Sequence, residues 1–195
     1  MATTLYSATM SLDGYIAGPG GDMGWLTPHL GPNPLIDELI PRIGALIVGN
    51  RTFGGDDPHK GTDRAGKPFG GGWDGPQFVV THHPRPAGDG ITFVPDLPTA
   101  LREARAAAGD GYVNILGADI ARQCLHAGEV DEILVCVAPV LLGGGTALFT
   151  GPTAAIGMQQ LHVSHTPHAV NIWMRITSRQ PHRTSPHTHI TTPGR

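Results

Sequence analysis

The sequence predicts an α/β domain: a mixed, eight-stranded, mostly parallel sheet flanked by helices and finished by an antiparallel C-terminal hairpin. Three observations carry this. The wholly apolar run at 45–48 has the character of a strand buried on both faces, as parallel sheets require. Strand-like and helix-like segments alternate between residues 91 and 140, which implies right-handed crossovers between parallel neighbours. Two strand-like runs at 160–166 and 169–177 meet at Pro167-His168 and read as a hairpin on the sheet edge.

In chain order, residues 3–10 are the first strand, and 11–24, with five glycines, must be a loop. Leu35, Ile36, Leu39, Ile40 and Ile43 recur at helical spacing, so a helix is expected over 34–43, limited by Pro41 and Gly44. After the strand at 45–48, residues 54–75 show no periodicity and form a long excursion, a lid or partner surface. Strands at 77–81 and 91–94 flank a turn-rich connection. Asp96 caps a helix over 97–108 that Gly109 terminates. A strand at 112–116, a helix at 118–127 stopped by Gly128, and a strand at 132–140 follow. One domain over 1–177 is expected, with a polar tail at 178–195 too poor in apolar residues to order itself.

Composition narrows the function. With 195 residues the chain buries one sizeable core, and 28 Gly with 18 Pro imply long loops in which function resides. A formal charge of −3 with scattered basic residues argues against nucleic acid. No run of about 20 apolar residues offers a membrane helix, and the N-terminus has no leader pattern, so a soluble cytoplasmic protein is expected. Cys124 and Cys136 read as buried free thiols outside the mechanism. Among 11 histidines, His162, His165 and His168 cannot converge from one strand, and His187 and His189 lack a third ligand, so no metal site is expected. No serine stands in a G-x-S-x-G elbow, which sets hydrolysis aside.

Two strand-to-helix turns carry a glycine where backbone N–H groups can meet a phosphate: Val48-Gly49-Asn50-Arg51-Thr52 and Leu116-Gly117-Ala118-Asp119-Ile120. Either glycine also has a purely steric reading, and the G-x-G-x-x-G fingerprint is absent. Thr81 and His82 offer donors suited to a further phosphate, or form a solvated turn. Asp13 either orients a substrate or simply makes the Asp-Gly turn. Gly143, Gly144 and Gly145 after a buried strand suit close approach of backbone to a ligand, or a structural loop.

With SLDGYIAG at 11–18, VGNRTF at 48–53, VVTHHP at 79–84, ILGADIARQCL at 115–125 and VDEILVCVAPVLLGGGTALF at 130–149, the chain resembles the dihydrofolate-reductase-like superfamily. It is most similar to the branch related to the reductase domain of the bacterial riboflavin-biosynthesis deaminase-reductase. The resemblance covers about residues 3–176 and implies a dihydrofolate-reductase-like three-layer sandwich, NADPH as cofactor, a small-molecule substrate and a homodimer. It implies Ala8 and Ile16 near the nicotinamide and substrate, and Val48, Gly49, Arg51 and Thr52 at phosphates. Thr81 and His82 would meet the adenosine-side phosphate, and Leu116 to Ile120 the pyrophosphate. Trp25 is similar to the tryptophan of the mobile loop in dihydrofolate reductases, or simply anchors the loop; Asp37 is similar to the carboxylate that meets a pterin-like ring edge, or is an exposed charge on the first helix. The family usually has two glycines where this chain has Gly117-Ala118, and the deaminase zinc motifs are missing. The expected activity is an NADPH-dependent reduction like that of 5-amino-6-(5-phosphoribosylamino)uracil. Dihydrofolate or pterin reduction is the alternative, and a non-catalytic nucleotide-binding or interaction module on this fold is the alternative of another class.

Overall fold

A computed structural model describes residues 1–83, 85–151 and 155–179. From residue 180 on, the expected tail lies outside the described residues.

Eight strands form one sheet in the order β5-β4-β3-β6-β1-β7-β10-β9. They are β1 (Thr3–Ser11), β3 (Ile43–Gly49), β4 (Gln77–Val80), β5 (Ile91–Val94), β6 (Tyr112–Leu116), β7 (Glu132–Ala138), β9 (Ile156–His165) and β10 (Val170–Arg179). The six strands from β5 to β7 in that order pair in parallel, and β10 and β9 pair antiparallel. Both faces are buried. Tyr6, Ala45, Ile47, Val113 and Ile115 face one core, under α3 (Leu97–Ala108) and α4 (Ala118–Ala127). Leu5, Leu46, Val48, Val79 and Leu134 face the other, covered by α1 (Pro34–Leu39) and aromatics of the excursion. The alternation of neighbours such as Leu5 and Tyr6 between cores is the period of two expected of a strand. This is the three-layer, dihydrofolate-reductase-like arrangement.

Both long helices end where the sequence places their signals. The Asp96 carboxylate accepts from Thr99 N at 2.8 Å and caps α3. Gly128, with φ 83°, closes α4 in the left-handed conformation. The first helix is shorter than its apolar spacing implies. It stops at Leu39, and a 3-10 turn over Ile40–Arg42 follows because Pro41 has no N–H to continue the ladder. Ile43, although in helical phase, is the first residue of β3 and pairs with Tyr112. Strand β7 likewise ends at Ala138, before Pro139.

A second, two-stranded sheet joins β2 (Tyr15–Ala17) to β8 (Thr146–Ala147). Both strands lie in glycine-rich stretches that the sequence presents as irregular. The edge strand β9 begins at Ile156, four residues before its expected start, and bulges opposite Trp173/Met174. The excursion holds only a 3-10 turn, Pro68–Gly71, and is pinned to the core by Trp73, whose Nε1 donates to Ile43 O at 2.9 Å. Both cysteines are buried and free.

Candidate active site

Strands β3 and β6 are neighbours in register at Val48 and Leu116, so the two glycine turns that follow them start side by side. Gly49 precedes α2 (Asn50–Phe53) and Gly117 precedes α4. Gly117 has φ 106°, and a Cβ there would lie 2.4 Å from Thr52 Oγ1. A Cβ on Gly49 would lie 3.1 Å from Ile120 Cγ1. The two glycines therefore let the turns pack against each other, with Thr52 filling the space above Gly117. No side chain caps either helix, so the first amides of α4 keep their donors free of protein side chains. Helix α2 is a single turn and contributes little dipole; α4, of ten residues, carries the electrostatic advantage.

Charge around the α4 turn is balanced internally. Asp119 accepts from Arg122 Nη2 at 2.8 Å and from Gln123 Nε2 at 3.0 Å. The Arg122 hydrogen bond, with help from Gln123 and the Arg51 charge, holds its carboxyl below the ordinary range. Ala118 is partly buried at the first position of the helix, and Ile120 is buried in the core beneath it. Asn50 Oδ1 is buried with no hydrogen-bond partner among the described residues. An orphaned acceptor beside uncapped amides fits a polar ligand bearing both anionic and hydroxyl groups.

A cleft of about 1240 Å³ runs across the sheet beside these turns; Gly49, Asn50, Arg51 and Gly117 to Ile120 are not part of its lining. One end is marked by Val48, Thr52 and Leu116, and it continues past Thr9 and Cys136 to His168. Asp37, in the first turn of α1, lines it together with Leu26, Asn33 and Ile36. Its outer wall is the excursion, joined to the 22–30 segment where Met23 N donates to Asp56 Oδ2 at 3.1 Å and Thr27 Oγ1 to Pro58 O at 3.0 Å. A single ligand site is ordinarily about 300–1,000 Å³, so this cleft has room for two molecules side by side.

The remaining expected site residues lie elsewhere. Ala8 and Ile16 pack on the α3/α4 core, across the sheet from the cleft; Thr9, one residue on, is the β1 side chain that lines it. Thr81 is buried at the end of β4, where its Oγ1 accepts from His83 N at 3.1 Å. His82 and Arg51 are exposed. Trp25 sits in the 3-10 turn Gly24–His29, tilted against His29 at 6.3 Å, with its buried Nε1 unpartnered among the described residues.

Asp13 is outside the cleft lining. Its carboxylate accepts from Ser11 Oγ at 2.6 Å, Leu142 N at 3.1 Å and Gly143 N at 2.7 Å. These bonds, Ser11 first, draw its pKa below the usual value. The triglycine loop is thus clasped to the 11–18 loop. Gly145, with φ 129°, lies so close to that loop that a Cβ would stand 2.0 Å from Ala17 O. The close approach is of backbone to backbone.

Sequence reasoning missed Thr9, Asn33, Cys136 and His168. Thr9 was detectable from its even spacing with Leu5, which puts both on one face of β1. Cys136 is buried, its thiol pushed up to about 11 by that burial, yet it forms part of the cleft wall. Among the described residues no three His, Cys, Asp or Glu side chains are grouped to hold a metal, and no helix is long and apolar enough to cross a membrane.

Comparisons with known proteins agree with this architecture. A riboflavin biosynthesis protein from Shewanella sp. PV-4 superposes with a TM-score of 0.70 at 22% identity, covering 91% of this chain and 100% of the other. The deaminase/5-amino-6-(5-phosphoribosylamino)uracil reductase of Thermotoga maritima superposes with a TM-score of 0.64 at 17% identity, over 90% of this chain and 57% of that larger protein. Dihydrofolate reductase from Enterococcus faecalis, solved with NADP(H), gives 0.61 at 15% identity over 90% and 97%. No curated protein matches by sequence. The model of the RibD C-terminal domain matches residues 2–171, and with the sheet order and cleft described above the chain belongs to that reductase-like family.

Proposed function

We propose that the protein is an NADPH-dependent reductase of a small heterocyclic or sugar-derived substrate, similar in chemistry to 5-amino-6-(5-phosphoribosylamino)uracil reduction. The observation that carries this reading is the cleft, which ends at Thr52 and Leu116, the residue before the turn that opens α4, and extends past Thr9 and Cys136 with volume for a dinucleotide and a second molecule. NADP(H) in the Enterococcus faecalis reductase of the same fold supports the choice of cofactor.

In this reading a bound reduced nicotinamide supplies a hydride to a C=O or C=N carbon. The chain supplies the rest. Amides 118–120 bind the pyrophosphate, with Thr52 Oγ1 as a further donor, while Asn50 Oδ1 accepts from a ligand hydroxyl. Thr9 marks the floor where the two molecules meet, and Asp37 accepts from a polar ring edge. The excursion and the 22–30 segment cover the apolar Leu26, Ile36 and Phe53 and exclude water, which strengthens every polar contact beneath them. The accompanying proton comes from water at the cleft mouth. Because Asp13 is committed to the triglycine loop, we assign it a positioning role there.

Titration of the protein with NADPH, followed by nicotinamide fluorescence, tests the reading. Saturable binding is expected, and no binding at millimolar cofactor overturns it. Loss of absorbance near 340 nm on adding the ribosylaminopyrimidine or dihydrofolate then separates the riboflavin-type from the pterin-type reductase; Asp37 in the cleft favours keeping the latter in the panel. The reading of another class, a nucleotide-binding module without turnover, draws on Ala118 in place of the family glycine, and binding without turnover on any substrate would favour it. We also propose a homodimer. Met158, Leu161, Val163 and Val170 on β9 and β10 expose 37–48% of their surface, and a second copy covering them would remove an apolar patch from water.

A further inference from the structure

We propose that His168, at the tip of the β9–β10 hairpin, contacts the substrate and determines specificity. The inference rests on the reductase reading. Each cleft-floor position comes from the next strand across the sheet: Val48 on β3, Leu116 on β6, Thr9 on β1, Cys136 on β7, and His168 just before β10. Neighbouring strands lie about 4.8 Å apart, so His168 is about 14 Å from the β6 edge where a pyrophosphate would sit. That is the reach of the nicotinamide half of a dinucleotide plus a substrate ring, which puts His168 at the substrate end.

The imidazole is held there by the fold. Thr166 Oγ1 accepts from His168 N and Ala169 N, both at 3.1 Å, and fixes the turn. The ring lies against Gly31, where a Cβ would come 2.2 Å from His168 Cδ2. Asn33, two residues further on, exchanges amide hydrogen bonds of 2.9 and 3.1 Å with Asn171, which is 1% exposed and also donates to Ser164 Oγ at 3.1 Å. Asn33 therefore leaves α1 without a side-chain cap and spends its amide on locking the 31–33 segment to β10. The result is a rigid seat for an imidazole that lines the cleft, as the Asp37 carboxylate also does. A heterocycle with alternating donors and acceptors on one edge is the ligand that such a pair recognises.

The test is steady-state kinetics of His168→Ala, His168→Gln and Gly31→Ala, each with NADPH binding and thermal melting measured in parallel, using the better of dihydrofolate and the ribosylaminopyrimidine as substrate. His168→Ala is expected to raise substrate KM about tenfold, the size of one lost hydrogen bond, with NADPH affinity unchanged. His168→Gln, which keeps a donor and an acceptor, should recover part of it. Gly31→Ala leaves His168 in the sequence but displaces its ring, and should raise KM in the same direction. KM within twofold of wild type in both Ala variants, in a protein that turns over, overturns the role of His168 alone. A wild-type protein that neither binds nor oxidises NADPH overturns the reductase reading and this inference with it.

Discussion

The three consecutive glycines at 143–145 provide a graded test, because the structure gives each a different reason to be there. Gly145 has φ 129° and a Cβ direction aimed at Ala17 O only 2.0 Å away, with Gly18 C at 2.8 Å. These are backbone atoms, so Gly145→Ala has to separate β8 from β2, at a combined strain and pairing cost of about 3 kcal/mol or more. Gly143 has φ 71° and nothing within 4 Å of a built Cβ; alanine there pays only the left-handed penalty, about 1 kcal/mol. Gly144 has neither a positive φ nor a neighbour, and alanine there should be neutral or raise stability by a few tenths up to ~1 kcal/mol through the unfolded chain. For a domain of this size about 1 kcal/mol moves Tm by ~2–4 °C. Calorimetric melting of the three variants should therefore rank Gly145→Ala lowest by roughly 6 °C or more, Gly143→Ala a few degrees down, and Gly144→Ala at wild type. A Gly145→Ala protein that melts within about 2 °C of wild type would refute the claim that backbone contact, and not ligand access, fixes that glycine.

Other predictions follow from single contacts. The Asp13 carboxyl has its folded pKa depressed by Ser11 and the amides of Gly143 and Leu142, so its contribution is present above the ordinary carboxylate range and lost as pH falls through the lowered value. Hydrogen exchange at the Leu142 and Gly143 amides should accelerate at acid pH beyond the intrinsic pH dependence, and Asp13→Ala should remove that excess. Asn114 is 0% exposed, and neither of its amide atoms has a partner among the described residues; Asn114→Leu, similar in shape, should raise stability by about 1 kcal/mol in urea unfolding, and a fall would show that the amide is satisfied. Val163→Lys should shift the mass measured by light scattering from dimer to monomer without lowering Tm by more than about 2 °C, whereas a wild-type monomer would remove the dimer proposal.

Much of the fold was legible because it depends on local chemistry. Asp96, Gly109 and Gly128 mark helix ends through hydrogen-bonding and left-handed geometry that operate within a few residues, and the apolar run 45–48 has nowhere to go except the middle of a sheet. The glycine turns at Gly49 and Gly117 were legible too, but the reason for their glycines was not. Local sequence is silent on Gly117 lying over Thr52, because the two residues meet only through the pairing of β3 with β6. Ile43 shows the reverse error: its helical spacing with Leu39 is real, and a missing Pro41 N–H together with pairing to Tyr112 outweighs it.

The sequence by itself determined the fold class, the family, and the two glycine turns between strand and helix, since apolar periodicity and motif order are properties of the linear chain. Only the tertiary structure decided that Asp13 serves the triglycine loop, that Thr9 and not Ala8 lines the cleft, and that the hairpin brings His168 beside Gly31. The physical reason is that each depends on which strand lies next to which and which face is turned outward. Those relations are set by pairing and burial across the whole sheet, between residues more than a hundred positions apart.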